Sequence, residues 1–152
     1  MKTLMRSLVN ISAVVCLVLS MTTLVSCKKT NEDLIVGTWK CTSVSLNPQN
    51  FIESQRYIEE LSTAKFLFTD EKYVAIAIGN ERSYGNYSID GDKLVIIIMG
   101  KEDPVVAKVN LLDSKRFSFT YSQKAYDEDD EGHSRYITVA VTLNLDKIED
   151  AH

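Results

Sequence analysis

The stretch SYGNYSIDGDKLVIIIM, residues 83–99, decides the fold class of this chain. Its two halves, residues 83–90 and 92–99, have the alternating or apolar character of β-strands, and they meet at Asp90-Gly91. An Asp-Gly pair suits a two-residue hairpin turn, because the turn requires positive φ angles that Asp tolerates and Gly adopts freely. We therefore predict two antiparallel strands joined by a tight turn.

Segments of the same character lie on both sides of this hairpin, each ending at a turn signal. They are residues 35–46 (IVGTWKCTSVSL), 64–69, 72–79, 105–112, 116–123 and 136–145. Together with the hairpin they make about eight strands, with short connections and one apolar face. Such a chain buries its apolar face and removes its exposed edges by closing on itself. The sequence therefore predicts an all-β domain, an antiparallel up-and-down barrel of about eight strands; a two-sheet sandwich fits the same pattern.

One segment between the first two strands, residues 50–62 (NFIESQRYIEELS), has helical rather than β spacing. Phe51, Ile58 and Leu61 fall on one helical face. Asn50 is placed to cap the helix, with Glu53 completing a capping box. A helix inserted here would lie at one end of the barrel, either as a lid over a cavity or as a plug for the open end.

The N-terminus has the pattern of a secretory signal peptide. Two basic residues precede an apolar run over residues 8–19, and small and hydroxylated residues follow. The run ends in Leu24-Val25-Ser26-Cys27, which resembles the lipobox of bacterial lipoproteins. That resemblance implies cleavage before Cys27 and attachment of acyl chains such as palmitate, so that lipid holds the protein at a membrane. A transmembrane anchor over residues 7–26 is the alternative, since a span needs about 20 residues.

These assignments divide the chain into a signal peptide (residues 1–26), a lipidated tether (27–33) and a barrel domain (34–152). The signal peptide carries two of the 17 basic residues and none of the 21 acidic ones, so its removal changes the net charge from −4 to −6. An acidic domain lacks the clustered Lys and Arg that binding to nucleic acid requires. Cys16 leaves with the signal peptide and Cys27 carries the lipid, so Cys41 is the one cysteine that remains. We therefore expect no internal disulfide.

Gly37-Thr38-Trp39 opens the first predicted strand, after the apolar pair Leu34-Ile35. With the lipobox and the later GNYSIDGDKL (85–94), this opening resembles the lipocalin-like lipoproteins of Bacteroides-type bacteria. The resemblance implies that Trp39 packs across the closed base of an eight-stranded barrel, and that the protein is an outer-membrane lipoprotein facing the periplasm or the cell surface. Other lipocalins have a TDY-like second motif, absent here, and cover this tryptophan with an arginine. Arg116 and Arg135 are the candidates for that arginine.

The polar residues form no recognisable catalytic set, so we expect no enzyme activity and no cofactor. The two histidines, His133 and His152, have no Ser, Asp or Cys partner at a catalytic spacing. The acidic run over residues 127–131 supplies oxygens of the type that Ca²⁺ binds, but its spacing matches no EF-hand loop. Weak metal candidates are therefore Asp127, Asp129 and Glu131, and a solvated loop is the alternative.

A small barrel on a lipid anchor predicts a binding module, for a small apolar ligand or for a protein partner of the cell envelope. Inward-facing aromatic residues and one thiol would line its cavity: Trp39, Cys41, Phe66, Phe68, Phe117, Phe119 and Tyr121. The alternative is a solidly packed accessory subunit of an envelope assembly, with no small-molecule ligand. A cavity favours the first function, whereas a filled core with an exposed apolar patch favours the second.

Overall fold

The structure, a computed structural model, describes residues 28–148. The predicted signal peptide, Cys27 and His152 lie outside the described residues. Helix α1 (Asn31–Ile35) precedes the first strand, and helix α2 (Ser54–Ser62) lies between the first two strands. The strands are β1 (Gly37–Asn47), β2 (Lys65–Phe68), β3 (Tyr73–Ile78), β4 (Glu81–Asp90), β5 (Lys93–Ile98), β6 (Val105–Leu112), β7 (Arg116–Glu128) and β8 (Ser134–Ile148).

The eight strands form one closed barrel in chain order. Each strand pairs antiparallel with the next, and β8 returns to pair with β1 over most of their lengths. Asp90 lies opposite Lys93, so the predicted hairpin is confirmed, and Gly91 and Asp92 are the two residues of its turn. The predicted all-β up-and-down barrel with a short helix between its first two strands is therefore confirmed, and the closed strand order rules out the two-sheet sandwich.

Strands β7 and β8 are longer than their apolar pattern predicts. Their ladder continues through Asp127↔Arg135 to Glu128↔Ser134, so part of the acidic run belongs to β7. Opposite charges face each other across the two strands at this point, and such cross-strand pairs support a ladder where apolar alternation has ended. The two strands thus form an extended hairpin at one end of the barrel.

Helix α1 begins inside the segment that the sequence predicts as a tether. Thr30 caps it: its hydroxyl accepts the amide hydrogen of Asp33 at 3.4 Å, and an Asp33 carboxylate oxygen accepts the amide hydrogen of Thr30 at 3.0 Å. This reciprocal pair is a capping box, which satisfies two amide groups that a helix start leaves unpaired. A helix capped by Thr30 therefore starts within the residues predicted as a tether.

Helix α2 begins later than the sequence predicts, and the expected cap by Asn50 and Glu53 is wrong. Glu53 itself is the N-cap residue, and its side chain makes no capping hydrogen bond. The preceding Phe51 is buried, and the amide of Ile52 donates to Asp127 on β7 at 3.2 Å. Tertiary contacts thus hold residues 51–53 in a turn, and the helix starts three residues later than predicted.

The two ends of the barrel differ. Helix α1 and the turns β2–β3, β4–β5 and β6–β7 lie at one end, here called the closed end. Helix α2 and the β3–β4, β5–β6 and β7–β8 connections lie at the other, the open end. Within residues 28–148, no helix has the length and apolar character needed to cross a membrane.

Candidate functional site

The closed end is filled by aromatic side chains around Trp39. Trp39 is fully buried, its indole nitrogen donates to the carbonyl of Ile35 at 2.7 Å, and its ring meets Phe117 edge-on at 5.4 Å between centroids. Phe68 in turn contacts Phe117 and Tyr87. Because α1 supplies the carbonyl that satisfies the indole N–H, a buried donor that would otherwise be costly, the helix and Trp39 together close this end.

A lysine, not an arginine, covers Trp39. The Nζ atom of Lys147 lies 5.0 Å from the indole ring centre, and the two residues are direct partners across β1 and β8. The predicted candidates lie elsewhere, since Arg116 binds Asp113 at 3.0 Å and Arg135 binds Asp127 at 2.7 Å. The expectation that one of these arginines covers Trp39 is therefore wrong, and a cation–π contact from Lys147 takes that place.

Gly37, two residues before Trp39, makes room for this lysine. Its φ is +132°, and a Cβ placed on it would lie 2.5 Å from Cε of Lys147. A side chain at position 37 would therefore strain the backbone and displace the lysine stem from the indole. The spacing of glycine and tryptophan in the Gly37-Thr38-Trp39 opening thus follows from the Lys147–Trp39 contact.

The open end contains a cavity of about 240 Å³. Its lining comes from α2 and from seven strands or their ends: Leu61, Phe66, Ile76, Ile78, Glu81, Ser83, Ile96, Ile98, Lys101, Val105, Phe119, Tyr121, Gln123 and Leu143. Exposed Glu81 and Lys101 mark where it reaches the surface. The cavity is therefore an apolar chamber whose mouth carries charged and polar groups.

The predicted cavity residues divide between the two ends. Phe66, Phe119 and Tyr121 line the open-end cavity. The other four pack outside it, in the filled part of the barrel: Trp39, Cys41, Phe68 and Phe117. Burial raises the pKa of the Cys41 thiol, whose sulfur lies 3.4 Å from the carbonyl of Ser43, so this cysteine is an unreactive core residue.

Sequence reasoning missed the aliphatic and polar parts of the cavity. Four isoleucines on β3 and β5 form much of its wall: Ile76, Ile78, Ile96 and Ile98. Ile76 and Ile78 alternate along β3 with buried Val74, and Ile96 and Ile98 alternate along β5 with buried Leu94. This period of two could have identified them as inward-facing residues. Ser83 and Gln123 also face inward near the rim, where strand alternation alone predicts no polar residue.

The phenol of Tyr121 is the polar group of the cavity lining that bears most directly on what the cavity can bind. Its pKa is raised to about 12, first by burial and then by the neighbouring Tyr57 and Cys41. Among residues 28–148, no group hydrogen-bonds to its hydroxyl. A neutral phenol of this kind is both a donor and an acceptor, so it can bind one polar atom of a molecule inside the cavity.

Helix α2 forms one side of the cavity through Leu61, which is 8% exposed. The segment is held at both of its ends. The Ile52 amide donates to Asp127 before the helix, and after it the Thr63 hydroxyl accepts the Gly79 amide hydrogen at 2.8 Å. The helix is therefore placed as a cover over part of the open end.

Two carboxylates of the acidic run, those of Asp127 and Asp129, bind other groups of the barrel domain. Hydrogen bonds from Arg135 lower the pKa of the Asp127 carboxyl, which is buried. Asp129 accepts the amide hydrogens of Glu131 and His133, at 3.0 and 2.8 Å, and these bonds lower its pKa. In the part of the chain that the structure describes, no group of three His, Cys, Asp or Glu side chains is arranged to hold a metal ion.

A family model described as a lipocalin-like domain matches residues 35–119, more than half of the chain. The chain belongs to the lipocalin-like domain family. The match runs from the end of α1 to Phe119, and so includes Trp39 and Phe117 at the closed end and most of the cavity wall. A lipocalin-like barrel is in general a ligand-binding module, and the family is typically non-enzymatic. No curated protein matches the sequence.

Proposed function

We propose that this protein is a membrane-anchored lipoprotein whose lipocalin-like barrel binds a small molecule with an apolar body and one hydrogen-bonding group. The observation that carries the proposal is the open-end cavity with the buried Tyr121 in its lining. Aliphatic and aromatic walls favour burial of an apolar body, because the gain in free energy scales with the apolar area removed from water. The phenol then selects for a ligand that offers one polar atom.

The size of the cavity narrows the ligand class. Pockets for drug-sized ligands occupy about 300–1,000 Å³, and this cavity has about 240 Å³. A molecule smaller than a typical drug fits such a volume. Glu81 and Lys101 at the mouth carry opposite charges, so charge alone does not favour an anion over a cation.

The anchor is Cys27, at the end of the lipobox-like LVSC. Two or three acyl chains, at roughly 0.8 kcal/mol per buried CH₂, hold a protein firmly at a bilayer without a spanning helix. We place the protein at the outer membrane, with the barrel in the periplasm or at the cell surface. The acidic barrel, in which Cys41 is the one cysteine of residues 28–148 and is buried without a disulfide, is compatible with an exported domain that relies on its core.

Native mass spectrometry of the lipidated protein purified from its own host, followed by extraction, tests ligand binding. We expect a bound small molecule on the wild-type barrel. Ile98→Trp should abolish the bound mass, because Ile98 lines the cavity, whereas Ile97→Trp should retain it, because Ile97 points outward and is 58% exposed. Thermal unfolding of both variants checks that the barrel remains folded.

A second function, an accessory subunit of an envelope assembly, is favoured by the filled closed end and the modest cavity. In that case the wild-type barrel carries no small molecule, and an envelope protein accompanies it at a fixed stoichiometry through purification. The Ile98→Trp variant would then assemble as the wild type does. This outcome would overturn ligand binding and leave the lipid anchor standing.

A further inference from the structure

One side of the barrel exposes more large apolar side chains than any other part of the described chain. Five residues on β2 and β4–β6, or directly after a strand, are between 42% and 65% exposed and form what we call the outer apolar wall: Leu67, Tyr84, Ile97, Met99 and Val106. The other large exposed apolar residues are scattered: Ile52, Leu111 and Tyr136. Contiguous apolar patches on a soluble domain mark interaction surfaces, whereas single exposed residues are ordinary.

The strand register makes this wall continuous. Leu67 pairs with Ala75, and Ala75 pairs with Tyr84. The amide of Met99 donates to the carbonyl of Tyr84 at 2.8 Å, which extends the same row onto the end of β5. Ile97 lies two residues before Met99 on the same face of β5. Val106 joins this face from β6, since it pairs with Val95, two residues before Ile97. Residues directly opposite on one sheet face are in contact distance, so the wall is one surface.

Basic side chains border this wall within its strands. The exposed charged residues within its strands, apart from the two ends of β4, are all basic: Lys65, Arg82, Lys93 and Lys108. The acidic exceptions are Glu81 and Asp90, the first and last residues of β4. An apolar surface bordered by Lys and Arg, with Tyr among its members, is the composition of protein surfaces that lie in a lipid interface. The β5–β6 connection adds the exposed Lys101 and also the exposed acidic residues Glu102 and Asp103, so the basic border lies within the strands.

The path of the chain places the anchor at the closed end of the strands that carry this wall. Asn31 donates to the carbonyl of Gly91 in the β4–β5 turn at 2.7 Å, and Glu32 binds Lys72 beside the β2–β3 turn at 3.2 Å. The start of α1 is therefore fixed at the closed end of these strands, and the wall extends from there toward the open end, where Met99 follows β5. Cys27 precedes Asn31 by four residues, a span of at most about 14 Å for an extended chain.

We infer that the outer apolar wall lies against the surface of the lipid bilayer, with its basic border at the headgroups of anionic lipids. The inference rests on the proposed lipid anchor, because the short tether is what holds this side of the barrel near the bilayer. It adds an orientation that the anchor alone does not define: the barrel lies on its β2–β6 side, and the opposite strand, β8, faces water. A lipid-facing wall also explains why these large apolar side chains are not covered by another part of the described chain.

Spin labels on the full, lipidated protein in vesicles of phosphatidylethanolamine and phosphatidylglycerol test this orientation. One variant carries Ile97→Cys in the wall, and its matched control carries Thr138→Cys on β8, which is also exposed. We expect the ratio of oxygen to nickel-complex accessibility to be several-fold higher at position 97 than at position 138. Replacing Lys93 and Lys108 with glutamine should reduce that difference, since the basic border would be lost.

Equal accessibility at both positions, with acylated Cys27 confirmed by peptide mass, would overturn the inference and leave the anchor intact. Spin–spin broadening at position 97 would show that a second copy covers the wall, and would overturn it as well. So would immobilisation of the label only when an envelope protein is present. A Cys27 peptide without acyl mass, on protein that remains soluble, would overturn the anchor together with the orientation.

Discussion

An oxygen of the Asp127 carboxylate accepts the amide hydrogen of Ile52 at 3.2 Å, and this bond joins the β7–β8 hairpin to the segment that leads into α2. The same carboxylate receives Arg135 at 2.7 Å and is only 7% exposed. A buried carboxylate that is bound on both sides is well satisfied. Because α2 covers part of the cavity, we expect Asp127 to help hold this cover in place, although it lies outside the cavity lining.

Asp127→Ala should therefore loosen the cover without unfolding the barrel. We expect faster hydrogen exchange of the amides in residues 51–62, while the exchange of β7 amides around Phe119 stays unchanged. Local opening of this kind is expected where a few tertiary contacts hold a segment. Asp113→Ala is the matched control, since Asp113 binds Arg116 and two amides at the closed end, far from α2. Equal exchange over residues 51–62 in wild type and Asp127→Ala would contradict this role.

The Asp127 contact should also depend on pH in a defined direction. Hydrogen bonds from Arg135 are the main reason why the pKa of the Asp127 carboxyl lies below its ordinary value of 3.8. When folding lowers the pKa of a group, the group stabilises the folded state fully at any pH above its pKa in the unfolded chain. That stabilisation is lost as the pH falls through the pKa of the group in the folded state. The difference in unfolding free energy between wild type and Asp127→Ala should thus be constant at neutral pH and shrink below pH 3.8. Urea titrations at several pH values measure it, and a difference that persists in strong acid would exclude the carboxylate as its source.

Tyr121 should be visible as a late step in a spectrophotometric titration. One of the seven tyrosines should ionise with a pKa of about 12, because burial disfavours its phenolate. Tyr121→Phe should remove that step, and Tyr136→Phe, at the exposed hairpin, should retain it. Since the folded state holds this proton more tightly than the unfolded state, stability should fall as the pH rises from the ordinary tyrosine value, 10.0, toward 12. A titration that loses the same step in both variants would show that Tyr121 is not its origin.

Lys147 should stabilise the closed end through its contact with Trp39. Lys147→Met retains most of the stem but loses the charge, and we expect a cost of roughly 0.5–2 kcal/mol in the free energy of unfolding. Lys147→Arg should recover part of this loss, because a guanidinium also packs on an indole face. Lys40→Met, next to Trp39 on β1 but outward-facing, is the matched control. Fluorescence of the single tryptophan follows each transition, and equal stability of Lys147→Met and wild type would refute the contact.

The successful parts of the sequence prediction depend on local patterns. Asp90-Gly91 and the alternation on either side of it determine a hairpin without reference to the rest of the chain. Alternation also places Trp39 and Cys41 on the same inward face, as observed. Eight such segments with short connections leave few arrangements other than a barrel, because sequential antiparallel strands pair with their neighbours.

The parts that were missed depend on contacts between distant segments. Alternation states that a residue faces inward, but it does not give its depth along the barrel axis. Phe117 and Phe119 share one face of β7, yet Phe117 packs under Trp39 and Phe119 borders the cavity. Lys147 reaches Trp39 only through the β1–β8 pairing that closes the barrel. The later start of α2 has the same origin, since Asp127 holds the preceding segment.

Cys27→Ala tests the anchor itself. If acyl chains are attached to Cys27, the variant should incorporate no palmitate analogue during metabolic labelling, and it should leave the membrane fraction or retain its signal peptide. Cys41→Ala is the matched control, because Cys41 is buried in the barrel and should not affect labelling. The short connection to α1 makes a further test possible: inserting a flexible Gly-Ser segment between Lys29 and Thr30 should leave labelling intact while it frees the barrel from the bilayer. Label that persists on Cys27→Ala would show that another residue carries the lipid, and membrane retention without any label would favour the spanning segment over residues 7–26.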